Sequence, residues 1–296
     1  NIGNIHLALG QREADPARIE QAIEAFRAAL ARRERARVPA EWASTQVNIG
    51  LASFILGERR GDAALIGEAE AAYRSALGVF TREASPVDWA MAQNNLGNAL
   101  NALGLRANDI SYHDRAAEAF AAALEVRTRE AWPQMWATTQ VNLGNTYVHR
   151  ARHDLDTENL EKARAAYEAA LTVLDRRASP LNWASAQNNL GNALLTLGER
   201  GDADALGGAL AAYRAALEER TRVRAPLLWA RTTANLALAH ELLGDRGRGL
   251  PAWMEALALI EQAREAFQTR SRDSTVQADV LAGRLRGKIA TATAQR

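Results

Sequence analysis

No cysteine occurs among the 296 residues, so disulfides, thiol nucleophiles and cysteine-bearing metal knuckles are excluded. Lysine is almost missing as well: Lys162 and Lys288 stand against 34 arginines. Charge of one sign is absent. The 36 basic residues balance 35 acidic ones to a net +1, whereas a nucleic-acid binder carries a strongly basic surface. No apolar run approaches the roughly 20 residues needed to span a bilayer, and no signal-peptide pattern opens the chain. These absences predict a cytoplasmic protein that engages neither nucleic acid nor membrane. Alanine, by contrast, is abundant at 64 residues; it is the best helix former and lets helices approach closely. The alanine and arginine bias suggests a GC-rich, bacterial coding sequence. With 48% hydrophobic residues the chain can bury a core.

Length alone suggests about two domains, but periodicity overrides length. Five prolines stand three residues before a tryptophan: Pro39/Trp42, Pro86/Trp89, Pro133/Trp136, Pro180/Trp183 and Pro226/Trp229. The tryptophans are spaced 47, 47, 47 and 46 apart, and the column Phe26, Tyr73, Phe120, Tyr167 and Tyr213 repeats the same spacings. Two columns in lockstep over five units mark a repeat protein.

Each unit reads as two helices. The first begins at the proline, which loses no hydrogen bond in a first turn, and is expected to end at a left-handed glycine, as in 86–104 and 180–198. Trp89, Gln93, Leu96, Gly97, Leu100 and Leu103 share one face at the 3.6-residue period. The second helix opens at an aspartate column, Asp15, Asp62, Asp109, Asp156 and Asp202, whose carboxylates suit an N-cap. Its stripe places alanine four before and three after each aromatic, so that small residues admit the neighbouring helix and the aromatic fills the gap between units. About thirteen helices and no strands are expected. A single repeat domain over 1–296 follows, with units starting near Pro39, Pro86, Pro133, Pro180 and Pro226, and 1–38 a partial first unit. The last pair carries an insertion around Pro251, Ala252 and Trp253, and 274–291 is expected to be the capping helix that a stacked array needs.

The run Gln93-Asn94-Asn95-Leu96-Gly97-Asn98-Ala99-Leu100, with Gly104 and with Ala69, Tyr73, Ala76 and Leu77 of the preceding second helix, resembles the tetratricopeptide repeat. The resemblance covers residues 1–270, at a unit longer than that family's usual repeat of about 34 residues. It implies an all-α solenoid of antiparallel helix pairs winding as a right-handed superhelix. Long units of this kind resemble those of bacterial signalling and defence proteins. Asn1-Ile2-Gly3-Asn4 aligns with the middle of a first helix, so a longer parent chain is expected, and the cut unit offers an apolar end open to self-association.

Catalytic constellations are not found. His149 and His153 are four apart on a helix, a spacing compatible with metal ligation. His153, however, fills the slot of Arg12, Arg59, Arg106, Arg200 and Arg246, so neither metal nor cofactor is expected. Gly283-Arg284-Leu285-Arg286-Gly287-Lys288 lacks the spacing and the Ser/Thr of a phosphate loop. Arg35, Arg82, Arg129, Arg176 and Arg222 lie at the ends of second helices, where they offset the helix dipole and can stack on the next tryptophan, or form a ladder of anion sites. The tryptophans and the aromatic column are assigned to the core.

By the resemblance, first helices line a concave groove. Its inward positions are Ser44, Val47, Leu51 and Phe54; Met91, Asn94, Asn98 and Asn101; Thr138, Val141, Asn145 and His149; Ser185, Asn188, Asn192 and Thr196; and Arg231 with Glu241. This set is apolar and amide-rich. Asparagine donates and accepts, so a ladder can pair with an extended peptide backbone, or merely satisfy the helices. With no lysine there and arginine only at Arg231, the lysine/arginine clamp of chaperone-binding family members is disfavoured. The expected function is a non-enzymatic interaction module for a peptide or partner helix. The alternative is the sensor or regulatory region of a larger signalling or defence protein.

Overall fold

The computed structural model describes residues 2–154 and 156–295; Asn1, Leu155 and Arg296, although within the expected array, lie outside them. The described residues hold thirteen α-helices and no strand. They group into two compact units, Asn1–Asp154 and Leu155–Arg296. The first contains α1 (Ile2–Arg12), α2 (Pro16–Leu30), α3 (Pro39–Arg60), α4 (Ala63–Leu77), α5 (Pro86–Ala107), α6 (Ile110–Leu124) and α7 (Pro133–Arg150). The second contains α8 (Glu158–Leu171), α9 (Pro180–Glu199), α10 (Ala203–Glu219), α11 (Pro226–Leu243), α12 (Gly249–Gln268) and α13 (Arg272–Ala294).

Within each unit every helix packs on its sequence neighbours, and first helices also touch the next first helix, α3 on α5, α5 on α7 and α9 on α11. Proline opens α3, α5, α7, α9 and α11, and the residue before it lies outside the α region, at φ −136° to −148° and ψ 59° to 67°, as its clash with the proline ring demands. Asp15, Asp62, Asp109 and Asp202 are the N-caps of α2, α4, α6 and α10, each accepting from amides of the first turn. At α8 Thr157 takes the cap position, while Asp156 still accepts from the Glu158 amide at 3.1 Å.

One glycine column differs from expectation. Gly57 and Gly104 do not end their helices; α3 and α5 run on to Arg60 and Ala107, and the left-handed residues are Gly61 and Asn108. A Cβ on Gly57 would lie 2.7 Å from Ile66 Cγ1, and one on Gly104 would lie 2.8 Å from His113 Cε1. These glycines serve helix approach, not chain reversal. The Leu-Gly glycines Gly3, Gly50, Gly97 and Gly191 sit beneath Phe26, Tyr73, Phe120 and Tyr213, with an added Cβ 2.5–2.7 Å from the nearest ring carbon. The aromatic column therefore seats on the glycine of its own pair as well as filling the stack.

The insertion near Trp253 also takes shape. The chain kinks through Gly244–Arg248, and α12 gains extra N-terminal turns. Trp253 Nε1 donates to Asp245 Oδ1 at 2.9 Å, fixing the kink. The terminal helix α13 is five residues longer than the 18 expected, spanning 23 residues. It docks on α12 through Ala278, Leu281, Ala282 and Leu285.

Candidate interaction surface

The arginine column lies in the loops beyond the second helices rather than at their ends. It ties each pair to the next, so the helix-dipole role does not apply. Arg35, Arg129, Arg176 and Arg222 cover Trp42, Trp136, Trp183 and Trp229 at 5.1–5.9 Å from the ring centroids. Arg82 pairs with Glu125, Arg176 with Glu218 and Glu219 at 2.6 Å, and Arg222 with Glu265 at 3.0 Å. The tryptophans are half-buried under these cations rather than enclosed in the core.

A second arginine set was hidden in the sequence because it occupies alternate units only. At one column stand Arg33, Phe80, Arg127, Leu174 and Arg220; twelve residues on stand Thr45, Ala92, Thr139, Ala186 and Thr232. Arginine and threonine occur together or not at all, and this co-alternation was the available signal. Arg127 Nη1 donates to Thr139 Oγ1 at 3.0 Å, and Arg220 Nη1 to Thr232 Oγ1 at 2.8 Å. The threonine hydroxyls then donate to Asn94 Oδ1 at 3.1 Å and to Asn188 Oδ1 at 2.9 Å, one first helix earlier. Arg127 and Arg220 are buried, and no carboxylate meets either among the described residues. Burial lowers the pKa of both guanidinium groups, that of Arg220 to about 10 with repulsion from Arg231 adding to the shift.

Because alternate units carry the apolar version, the pair can be exchanged. Thr139→Ala removes the acceptor of a buried guanidinium and should cost about 1–3 kcal/mol. Adding Arg127→Leu, which reproduces the Leu174/Ala186 combination, should recover most of that loss, since apolar replacements of buried charges are commonly neutral or stabilising. Urea denaturation of both variants checks this: a double variant weaker than Thr139→Ala would contradict it.

The expected groove residues divide by structure. Val47, Asn94 and Asn188 are buried, and the two asparagines are spent on bonds between first helices, because Thr139 and Thr232 reach back to them. Asn101 donates to Thr146 Oγ1 at 2.7 Å and meets His113 Nδ1 at 3.0 Å. Asn192 Oδ1 accepts from the Tyr213 hydroxyl at 2.8 Å and from Asn235 at 3.0 Å. Glu241 is buried and receives Arg284 and Lys288 of α13. Ser185 Oγ accepts from Arg220 at 3.0 Å. Leu51, Phe54, Met91, Asn98, Val141, Asn145, His149 and Thr196 are half-buried, whereas Ser44, Thr138 and Arg231 are exposed. Phe54 and Met91 lean on the core of their unit. Among these, Asn98 makes no side-chain hydrogen bond with any described residue.

His149 turns to other histidines. Its ring centroid is 5.3 Å from that of His113, which is itself 6.2 Å from His153. No group of three or more histidine or acidic side chains arranged for a metal ion occurs among the described residues. His113 stands where the other units have Ile19, Ile66, Leu160 and Leu206, a polar intrusion into an apolar column that the sequence itself displays.

A family model described as tetratricopeptide repeat matches residues 183–222, which is α9 from its tryptophan through α10 to the arginine beyond it. The columns of that segment recur at 46–47-residue steps along the chain. Residues 183–222 thus form a tetratricopeptide repeat, and the chain has the fold of tetratricopeptide-repeat proteins. Solved structures of similar fold include BtubC (BKLC) from P. vanneervenii, 21% identical, with 88% of this chain and 92% of that chain aligned at a TM-score of 0.60. The C-terminal part of a TPR repeat-containing protein from Cytophaga hutchinsonii aligns at 12% identity over 98% of this chain and 94% of that one, TM-score 0.54. The apo form of RapI aligns at 13% identity over 98% and 99%, TM-score 0.52. At such identities the likeness concerns the fold of this repeat protein. No curated protein matches its sequence. No described helix is long and apolar enough to cross a membrane.

Proposed function

We propose that the chain is a non-enzymatic interaction module, one repeat array over 1–296, whose first-helix faces receive a peptide or a partner helix. The tetratricopeptide-repeat fold supports a protein-interaction scaffold at the coarse level. The observation that carries the finer reading is Asn98, an amide unspent on the fold, on the same face of α5 as Met91 seven residues earlier. An unspent amide offers a donor and an acceptor to a backbone passing over it. Leu51 and Phe54 of α3 add half-buried apolar surface in the same unit, with Thr138, Asn145 and His149 of α7 as further candidates. Thr196 and Arg231 are the corresponding candidates of the second unit. Val47, Asn94, Asn101, Asn188 and Asn192 then act as the support beneath that face.

Peptides selected from a random display library on the immobilised chain test this. Asn98→Arg places a bulky charge on the face and breaks no bond. It should weaken selected peptides about tenfold or more, as loss of a central contact does, with the melting temperature unchanged. Unaltered affinity would overturn the reading for this face.

A further inference from the structure

Within the second unit, α9, α11, α12 and α13 enclose a cleft of about 740 Å³, a size within the usual range of roughly 300–1,000 Å³ for ligand sites. Its interior combines buried Ile260 and Phe267 with the amides of Asn188, Asn192 and Asn235, and Leu238, Val276 and Val280 add exposed apolar surface, at 37%, 55% and 62% exposure. Three arginines line it and no acidic residue does. Arg284 is neutralised by Glu241, its Nε and Nη2 donating at 2.7 and 2.5 Å. Arg220 and Arg231 are not neutralised. Arg220 is 5% exposed, its bonds go to the neutral hydroxyls of Thr232 and Ser185, and its Nε–H has no acceptor. Arg231 is exposed and forms no ion pair among the described residues.

A buried guanidinium facing only hydroxyls forgoes the pairing that normally offsets its lost hydration. Burial, and after it Arg231, pushes the pKa of Arg220 down to about 10. Arg127, the buried counterpart in the first unit, has no such outlet, because the gap beside it leaves no room for a water molecule. Arg220 opens onto the cleft, and a partly apolar cleft with two cations that lack a counter-ion fits an anion carried on an apolar body.

We propose that this cleft receives an acidic side chain of a partner peptide, its carboxylate between Arg220 and Arg231 and its apolar neighbours on Leu238, Val276 and Val280. The inference rests on the peptide-binding reading and names the chemistry of one partner position. Electrostatic complementarity then fixes register: a basic residue there would meet two cations at short range.

In a display library the peptide C-terminus is fused to the carrier, so only side-chain carboxylates are presented. Binders selected on the full chain should be enriched in Glu or Asp flanked by Leu, Ile, Val or Phe. A synthetic, C-terminally amidated binder should lose about tenfold or more in affinity on Glu→Gln in the peptide, and similarly on Arg231→Gln in the chain. The two losses should not add, since both remove one interaction. Arg231 is exposed, so its variant should keep the wild-type melting temperature. Binders without acidic residues, or a Glu→Gln effect below about twofold, would overturn the inference and leave the peptide-binding reading standing. Binders sensitive to Arg231→Gln but not to Asn98→Arg would support it and remove the α5 face from that reading. No enriched binder at all would sink both.

Discussion

Phe120→Ala should destabilise the chain by about 3–5 kcal/mol, the usual range for a buried aromatic cut to alanine. Phe120 is fully buried, and its ring lies on Gly97, where even a Cβ would come within 2.7 Å of the ring carbons. A glycine has no side chain to relax into the space the ring vacates, so the cavity persists and the cost falls toward the upper end. The converse change has an unusual sign. Gly97→Ala gains about 1 kcal/mol of helix propensity, yet overpacking a full site costs typically about 1–3 kcal/mol, so a net loss is expected. Combining Gly97→Ala with Phe120→Leu should recover part of both losses, because the added methyl occupies what the smaller side chain leaves. Urea denaturation of the three variants measures this. A loss below about 1 kcal/mol for Phe120→Ala would show that the ring does not carry the stacking assigned to it.

The histidine cluster predicts acid lability of the first unit. Burial, Arg152 and His113 lower the His149 pKa to about 4, and burial with His153 and Arg152 lowers that of His113 against the opposing pull of Asp114 and Asp109. Both side chains thus bind protons less readily in the fold than in the unfolded chain, where the ordinary histidine pKa is about 6.5. Stability is complete above that value. It declines as pH falls through the window down to about 4, where folded His149 also protonates and the decline ends. By about pH 5 the loss from His149 is on the order of 2 kcal/mol before any solvent screening. His149→Leu should flatten the dependence between about pH 7 and pH 5. If the variant and the wild type lose stability in parallel over that range, the histidines are not its source.

How much was legible in the sequence follows from the range of each interaction. The aspartate caps and prolines that start the helices act within one turn, so Asp62 and Pro86 could be placed by type and spacing. The aromatic column was equally readable, because a stripe at the helical period has one face to bury. The site was less readable. Asn94, Asn98, Asn101 and Asn192 look alike in sequence, yet three are spent on partners 12–45 residues away and one is not. Those partners lie on other helices, and no local pattern distinguishes a spent amide from a free one. Arg220 shows the same limit, since its loop position says nothing of the wall that α12 and α13 raise beside it.

The sequence by itself determined the period, the helix pairs, most of their N-terminal caps and the identity of the repeat, because each of these is a short-range consequence of residue type recurring at a fixed interval. Tertiary structure alone decided which polar groups remain open to a partner. Packing brings Thr139 to Asn94 and Glu241 to Arg284, but leaves Asn98 and Arg231 without a side-chain partner among the described residues and Arg220 without a carboxylate. Whether a polar group is spent depends on distances between helices, which the one-dimensional pattern does not contain.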